Sequence, residues 1–104
     1  MNVRGLEVTD RTQCAHYHSE LDIVAIRFKC CGEFYACAEC HGALADHPPV
    51  PWPRKDRGIP AILCGNCRNT LTIKKYLQGN FRCPHCDAPF NPGCARHYHL
   101  YFEM

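Results

Sequence analysis

Between residues 30 and 47 the chain places Cys30, Cys31, Cys37, Cys40, His41 and His47, six side chains able to ligate a soft or borderline metal within eighteen residues. No packed core needs that composition. Tetrahedral zinc does, because Zn²⁺ accepts thiolate sulfur and imidazole nitrogen and asks for little beyond four-coordination. Cys37-x-x-Cys40 forms a knuckle, a tight turn that aims two sulfurs at one point. The competing reading, surface histidines beside small apolar core cysteines, suits an isolated pair of cysteines better than this cluster.

Ten cysteines in 104 residues is the density at which a scaffold held by disulfides or metal ions is expected. Three features favour metal. The opening Met-Asn-Val-Arg leads into polar sequence, with no apolar run of signal or membrane-spanning length. The cysteines fall mostly in Cys-x-x-Cys pairs, and seven histidines accompany them, for which a disulfide framework has no use. The expected compartment is reducing, of cytoplasmic type, with no membrane association. Nine thiolates offset by three Zn²⁺ would carry the formal charge from +2 to −1. Lys74-Lys75 and Arg54-Lys55 are the only adjacent basic pairs, so a basic footprint for nucleic acid is not visible.

Taken in order, Val3, Leu6 and Val8 allow a short edge strand. Cys14-Ala15-His16-Tyr17-His18 puts Cys14 and His16 on one face of an extended segment, and His18 shares that face, so spacing leaves both histidines open. Ile23–Phe28 is the clearest strand, β-branched at Ile23, Val24 and Ile26. Cys30–Glu33 reads as a turn in which Gly32 is free to take positive φ, and Phe34–Cys37 as the returning strand of a hairpin. Ala38–Ala45 predicts a short helix with Gly42 as a weak point. His41 and His47 stand roughly 600° apart around a helix. If both bind one metal, the helix must end near Asp46, and Pro48-Pro49 enforce that stop.

Five prolines between 48 and 60 predict an irregular connector, with Trp52 capping a small core. Few ladder contacts should then cross it except through Trp52 and the tail. Cys64-x-x-Cys67 and Cys83-x-x-Cys86, fifteen residues apart, match a zinc ribbon with four cysteine ligands, the most specific single spacing in the chain. Between them Thr70–Leu77 reads either as a helix capped by Thr70 or as a strand. Gln78-Gly79-Asn80 is a turn, and His85 points outward. The tail, Phe90 to Phe102, is aromatic and should dock on the domain. It carries Cys94, His97 and His99, which would supply three ligands of a fourth site, with His18 the candidate fourth.

Cys14-x-His16-Tyr17, Cys30-Cys31, Cys37-x-x-Cys40-His41, His47, Cys64-x-x-Cys67 and Cys83-x-x-Cys86 together resemble a CHY-type zinc finger over residues 14–86. The resemblance selects His16 over His18 and implies three Zn²⁺ ions, the number that twelve ligands also give at four per ion. In its compact size and its Phe-Asn-Pro-Gly-Cys tail the chain looks like the small stand-alone members, which include the helper-of-Tim proteins of the mitochondrial intermembrane space. Other members sit in ubiquitin ligases ahead of a RING domain; none follows residue 86 here, so ligase activity is not expected. The pairing assigned on this basis is Cys14, His16, Cys37 and Cys40 to one ion, Cys30, Cys31, His41 and His47 to a second, and Cys64, Cys67, Cys83 and Cys86 to a third. Cys30 and Cys31 would face opposite ways in extended chain. Either a turn at Gly32 brings both to one ion, or the first two sites interleave.

The expected fold is a small, irregular α+β domain stapled by zinc: a short β-hairpin and a helix around two sites, followed by the ribbon-like site of four cysteines. Residues 1–104 form one domain, with a two-zinc cluster at 14–47, a proline-rich connector at 48–63, a ribbon at 64–86 and an aromatic tail at 87–104. The expected function is non-catalytic zinc binding, with zinc structural and the surface an interaction platform for another protein. The alternative is a thiol-redox or zinc-handling factor acting on client proteins, for which the Cys94/His97/His99 group would be the labile site. A zinc hydrolase needs an open coordination position and a general base, whereas each well-spaced site here can be filled by four protein ligands.

Overall fold

Strand-forming side chains concentrate in two short apolar runs, Ile23–Phe28 and Ala61–Cys64, and these supply the centre of the fold. The structure, a computed structural model, describes residues 3–103 apart from the side chains of Cys94 and His97. Five short strands form one sheet: β1 (Val3–Arg4), β2 (Val24–Arg27), β3 (Phe34–Tyr35), β4 (Ile62–Cys64) and β5 (Thr70–Leu71), in the order β1-β3-β2-β4-β5. Three short helices accompany it: α1 (Ala38–Leu44), α2 (Ile73–Gln78) and α3 (Tyr98–Tyr101). This is the small α+β architecture the sequence implies. None of these helices is long and apolar enough to cross a membrane.

The hairpin of β2 and β3 is antiparallel, with Ile26 opposite Tyr35 and Arg27 opposite Phe34, and Gly32 takes φ 72° in its turn. β1 adds to the outer edge of β3 in parallel. On its other side β2 pairs antiparallel with β4, Val24 opposite Cys64 and Ile26 opposite Ile62. Because side chains alternate across a sheet, one face presents Ile26 and Ile62 to the main core with Phe28, Tyr35, Ile73, Tyr76, Phe90 and Phe102, all buried. The other face carries a smaller cluster of Ala25, Phe34 and Leu63.

β4 corrects the expected connector. Its first two residues lie in 48–63, and its ladder to β2 joins the hairpin region directly to the ribbon region. The ribbon is therefore not suspended from a loose linker. Ala61, Ile62, Leu63 and Cys64 are all completely buried, and a short run buried on both faces has no period to read. The ambiguous stretch 70–77 is both things in turn, β5 and then α2, and the cap is Thr72, whose hydroxyl accepts from the Lys75 N–H at 3.1 Å.

The aromatic tail docks. Trp52 N–H donates to the Tyr101 carbonyl and Glu103 N–H to the Trp52 carbonyl, each at 2.8 Å. The Trp52 indole N–H donates to the Arg27 carbonyl at 2.7 Å, and Lys29 Nζ lies 5.7 Å from its ring centre. Trp52 thus ties tail to hairpin as a half-buried core cap. The Tyr101 hydroxyl accepts from the Ala38 N–H at 3.1 Å, fixing the start of α1.

Candidate metal centres

Among the described residues, twelve side chains converge in three groups of four, and in each group one ligand atom per residue lies within 4.8 Å of the others. The first group is Cys14, His16, Cys37 and Cys40. Cys14 and His16 arrive on the loop after β1, while Cys37 caps α1, its sulfur accepting from the Cys40 N–H at 3.3 Å. His16 Nδ1 stands 3.4 Å from both Cys37 Sγ and Cys40 Sγ and 3.9 Å from Cys14 Sγ, and the Cys14 and Cys37 sulfurs are 3.6 Å apart. A tetrahedral zinc with Zn–S about 2.3 Å and Zn–N about 2.0 Å has edges of about 3.8 Å (S···S) and 3.5 Å (S···N). The donor set has the size and chemistry of a zinc cage. The Leu6 N–H points at Cys40 Sγ at 3.4 Å, the kind of outer contact that offsets thiolate charge.

The second group is Cys30, Cys31, His41 and His47. The turn at Gly32 brings the two neighbouring cysteines to one place. Cys40 and His41 are consecutive on α1, about 100° apart around its axis, so one helix serves two groups. His41 is fully buried, stacked on Phe28 with centroids 4.2 Å apart and meeting Tyr35 edge-on at 4.9 Å. That packing turns Nε2 to within 3.3 Å of Cys30 Sγ. Burial, with the nearby His47, lowers the His41 pKa and keeps the ring in the neutral, metal-ligating form. α1 ends at Leu44, with the Ala45 N–H bonded to the His41 carbonyl, and His47 returns on the segment beyond. Among the described residues, buried His41 Nδ1 and His47 Nε2 have no hydrogen-bond partner. Cys31 is exposed.

The third group, Cys64, Cys67, Cys83 and Cys86, is made of two knuckles with the same backbone wiring. The Cys64 N–H donates to the Asn69 carbonyl and the Arg68 N–H to the Cys64 carbonyl; the Cys83 N–H donates to the Ala88 carbonyl and the Asp87 N–H to the Cys83 carbonyl. Each knuckle exits through a left-handed residue, Arg68 at φ 64° and Asp87 at φ 63°. Sulfurs face across at 3.8 Å (Cys64 and Cys86) and 3.7 Å (Cys67 and Cys83). These separations exclude disulfides and match a tetrahedral edge. Burial pushes the Cys64 thiol up to about 12, whereas a hydrogen bond from Asn66 Nδ2, 3.3 Å away, draws Cys86 down to about 6. Burial likewise raises the Cys37, Cys40 and Cys83 thiols, and partial desolvation with the neighbouring Cys30 sulfur raises that of Cys31.

His18 and His85 are exposed and join no group among the described residues. Of the suggested fourth site, His99 is exposed, and the side chains of Cys94 and His97 lie outside the described residues. Sequence reasoning missed Asn66 and Asp46, polar partners of ligand atoms. Their only signal was position, inside the knuckle and beside His47.

Fold and sites define a small zinc-binding protein of the zinc-finger type, held by clustered cysteine and histidine. The profile of the CHY zinc finger family matches residues 14–76, and the chain belongs to that family. The match stops short of the Cys83-x-x-Cys86 knuckle. The chain is 45% identical to Helper of Tim protein 13 of Saccharomyces cerevisiae over 97% of its own length and 90% of that protein's. It is 45% identical to an uncharacterized protein of Schizosaccharomyces pombe, covering 98% and 89% of the two chains. With Helper of Tim protein 13 of Kluyveromyces lactis it shares 39% identity over 96% and 87%.

Proposed function

We propose that the chain binds three Zn²⁺ ions through the twelve residues of the three groups, that the zinc is structural, and that the folded surface serves a non-catalytic role as an interaction module for another protein. The observation that carries this reading is the convergence of all twelve donor atoms into three tetrads, each within 4.8 Å. A tetrad saturates a four-coordinate zinc and leaves no open position for substrate or water. Structural zinc contributes folding free energy on the order of 10 kcal/mol per site in small peptides, which suits a sheet whose longest strand has four residues. The name Helper of Tim, carried by two relatives, describes a protein that assists another, and by that likeness the partner here is a protein. Thiolate ligands persist in a reducing compartment of cytoplasmic type, whereas the likeness to the helper-of-Tim proteins favours the mitochondrial intermembrane space.

Zinc content of the metal-replete protein, read by native mass spectrometry, tests the reading. Three ions per chain are expected, with loss of far-UV signal and chemical-shift dispersion together on strong chelation. A chelated protein that keeps both would overturn the structural role.

The second reading is a thiol-redox or zinc-handling factor acting on client proteins. It is favoured by the exposure of Cys31 and by the Cys86 thiol drawn down to about 6. Rapid zinc transfer from the folded protein to an apo-thiol acceptor, without unfolding, would favour it over the structural role.

A further inference from the structure

We propose that Asp46 is the positioning residue of the Cys30/Cys31/His41/His47 centre: it fixes the His47 tautomer and so sets how firmly that centre holds its metal. His47 Nδ1 lies 2.9 Å from Asp46 Oδ1. An ionised carboxylate only accepts hydrogen bonds, so the proton between them sits on Nδ1. In a neutral ring Nε2 is then the bare nitrogen. That nitrogen is buried, has no hydrogen-bond partner among the described residues, and belongs to the side chain grouped with Cys30, Cys31 and His41. A carboxylate behind a metal-bound histidine orients the ring and raises its basicity.

The two histidines of this centre are held by different means. His41 sits on α1, clamped between Phe28 and Tyr35. His47 follows the end of α1 on irregular chain, and the ring that meets it edge-on is His41 itself, 5.1 Å away. Aromatic packing clamps the first ring, whereas the second, with 32% of its side chain exposed, donates its Nδ1–H to an exposed carboxylate. The Asp46 side chain is fully exposed, so it contributes nothing to the core, and its replacement isolates the orienting role.

The inference rests on the reading of these four residues as zinc ligands, and the experiment separates the two. Zinc-loaded full-length protein and its Asp46→Ala, Asp46→Asn and Asp10→Ala variants are compared by long-range ¹H–¹⁵N correlation of the histidine rings and by the rate of zinc release to a chromogenic chelator. Wild type is expected to show His47 with protonated Nδ1 and metal-shifted Nε2. Asp46→Ala should release one ion about 10–100-fold faster than wild type, and its His47 Nδ1–H, no longer hydrogen-bonded, should exchange faster with water. Asp46→Asn, whose amide oxygen still accepts from Nδ1–H, should keep that hydrogen bond and its slow exchange and recover much of the retention, and Asp10→Ala should match wild type. An Asp46→Ala protein with the wild-type Nδ1–H exchange and release profile overturns the positioning role alone. A wild-type His47 with no metal-shifted nitrogen overturns the ligand assignment as well.

Discussion

Two glycines show how a residue of one type takes opposite roles in neighbouring sites. At Gly65, inside the Cys64–Cys67 knuckle, a Cβ would stand 2.0 Å from the Arg11 carbonyl oxygen and 2.9 Å from that of Ile23. Both obstacles are backbone, so relief requires moving the knuckle itself. Gly65→Ala should destabilise the zinc-loaded protein by about 2–3 kcal/mol, as overpacking does, a fall in Tm of roughly 10 °C or more for a domain this size. Gly42 has nothing within 4 Å of its missing Cβ and sits within α1. There Gly42→Ala should stabilise by about 0.5–1 kcal/mol through the lower helix cost of alanine. Paired thermal melts in excess zinc check both signs. Equal effects of the two changes would mean that the knuckle yields.

At the scale of the element, the helices are too short to be stable alone. α1 has seven residues and α2 six, below the length at which isolated helices persist. Each is instead fixed at its start by side chains, α1 by Cys37 and the Tyr101 hydroxyl and α2 by Thr72. Removing the Thr72 hydroxyl as Thr72→Val or Thr72→Ala should cost about 1 kcal/mol, as loss of an N-cap does, while Thr72→Ser retains most of it. Since α2 carries Tyr76 into the core against Phe90, Tyr98 and Phe102, the loss should appear in the global melt rather than as local fraying. A Thr72→Ala melt unchanged from wild type would show that core packing alone sets the helix start.

For the whole molecule, the β2–β4 ladder makes the three centres one mechanical unit. Cys64 is both the last residue of β4 and a member of the third group. Cys83→Ser should therefore lower amide protection in β2 as well as in residues 64–86, read by hydrogen exchange. Unchanged protection in β2 would restore the picture of a separable ribbon. The same thiols set the response to acid. Burial raises Cys37, Cys40, Cys64 and Cys83, so without metal they are protonated at neutral pH, and zinc uptake must expel those protons. On the proposed structural role, stability supplied by zinc should thus be present at neutral pH and lost as pH falls. Cys86, drawn to about 6 by the Asn66 hydrogen bond, is already a thiolate at pH 7. The third centre should then release fewer protons than it has sulfurs, and its retention should steepen in pH dependence below about pH 6. Calorimetry of zinc binding in buffers of different ionisation enthalpy counts the protons; a full proton per sulfur at pH 7 would contradict the role of Asn66.

The local features of this protein are written in the sequence. Knuckle spacing, the turn at Gly32, the β-branched run of β2 and the prolines that stop α1 are rules of a few residues, and the metal-ligand character of cysteine and histidine is carried by the residue itself. Three things were decided only by tertiary structure. β4 has no readable period, since strand and helix look alike in a short run buried on both sides. Cys30 and Cys31 join one group because both lie in the tight turn closed by the Gly32 N–H on the Phe28 carbonyl, where the alternation of extended chain does not apply. The polar partners Asn66 and Asp46 are set by distance across folded elements and neighbouring turns, where a hydrogen bond depends on orientation within tenths of an ångström, and no spacing rule encodes that.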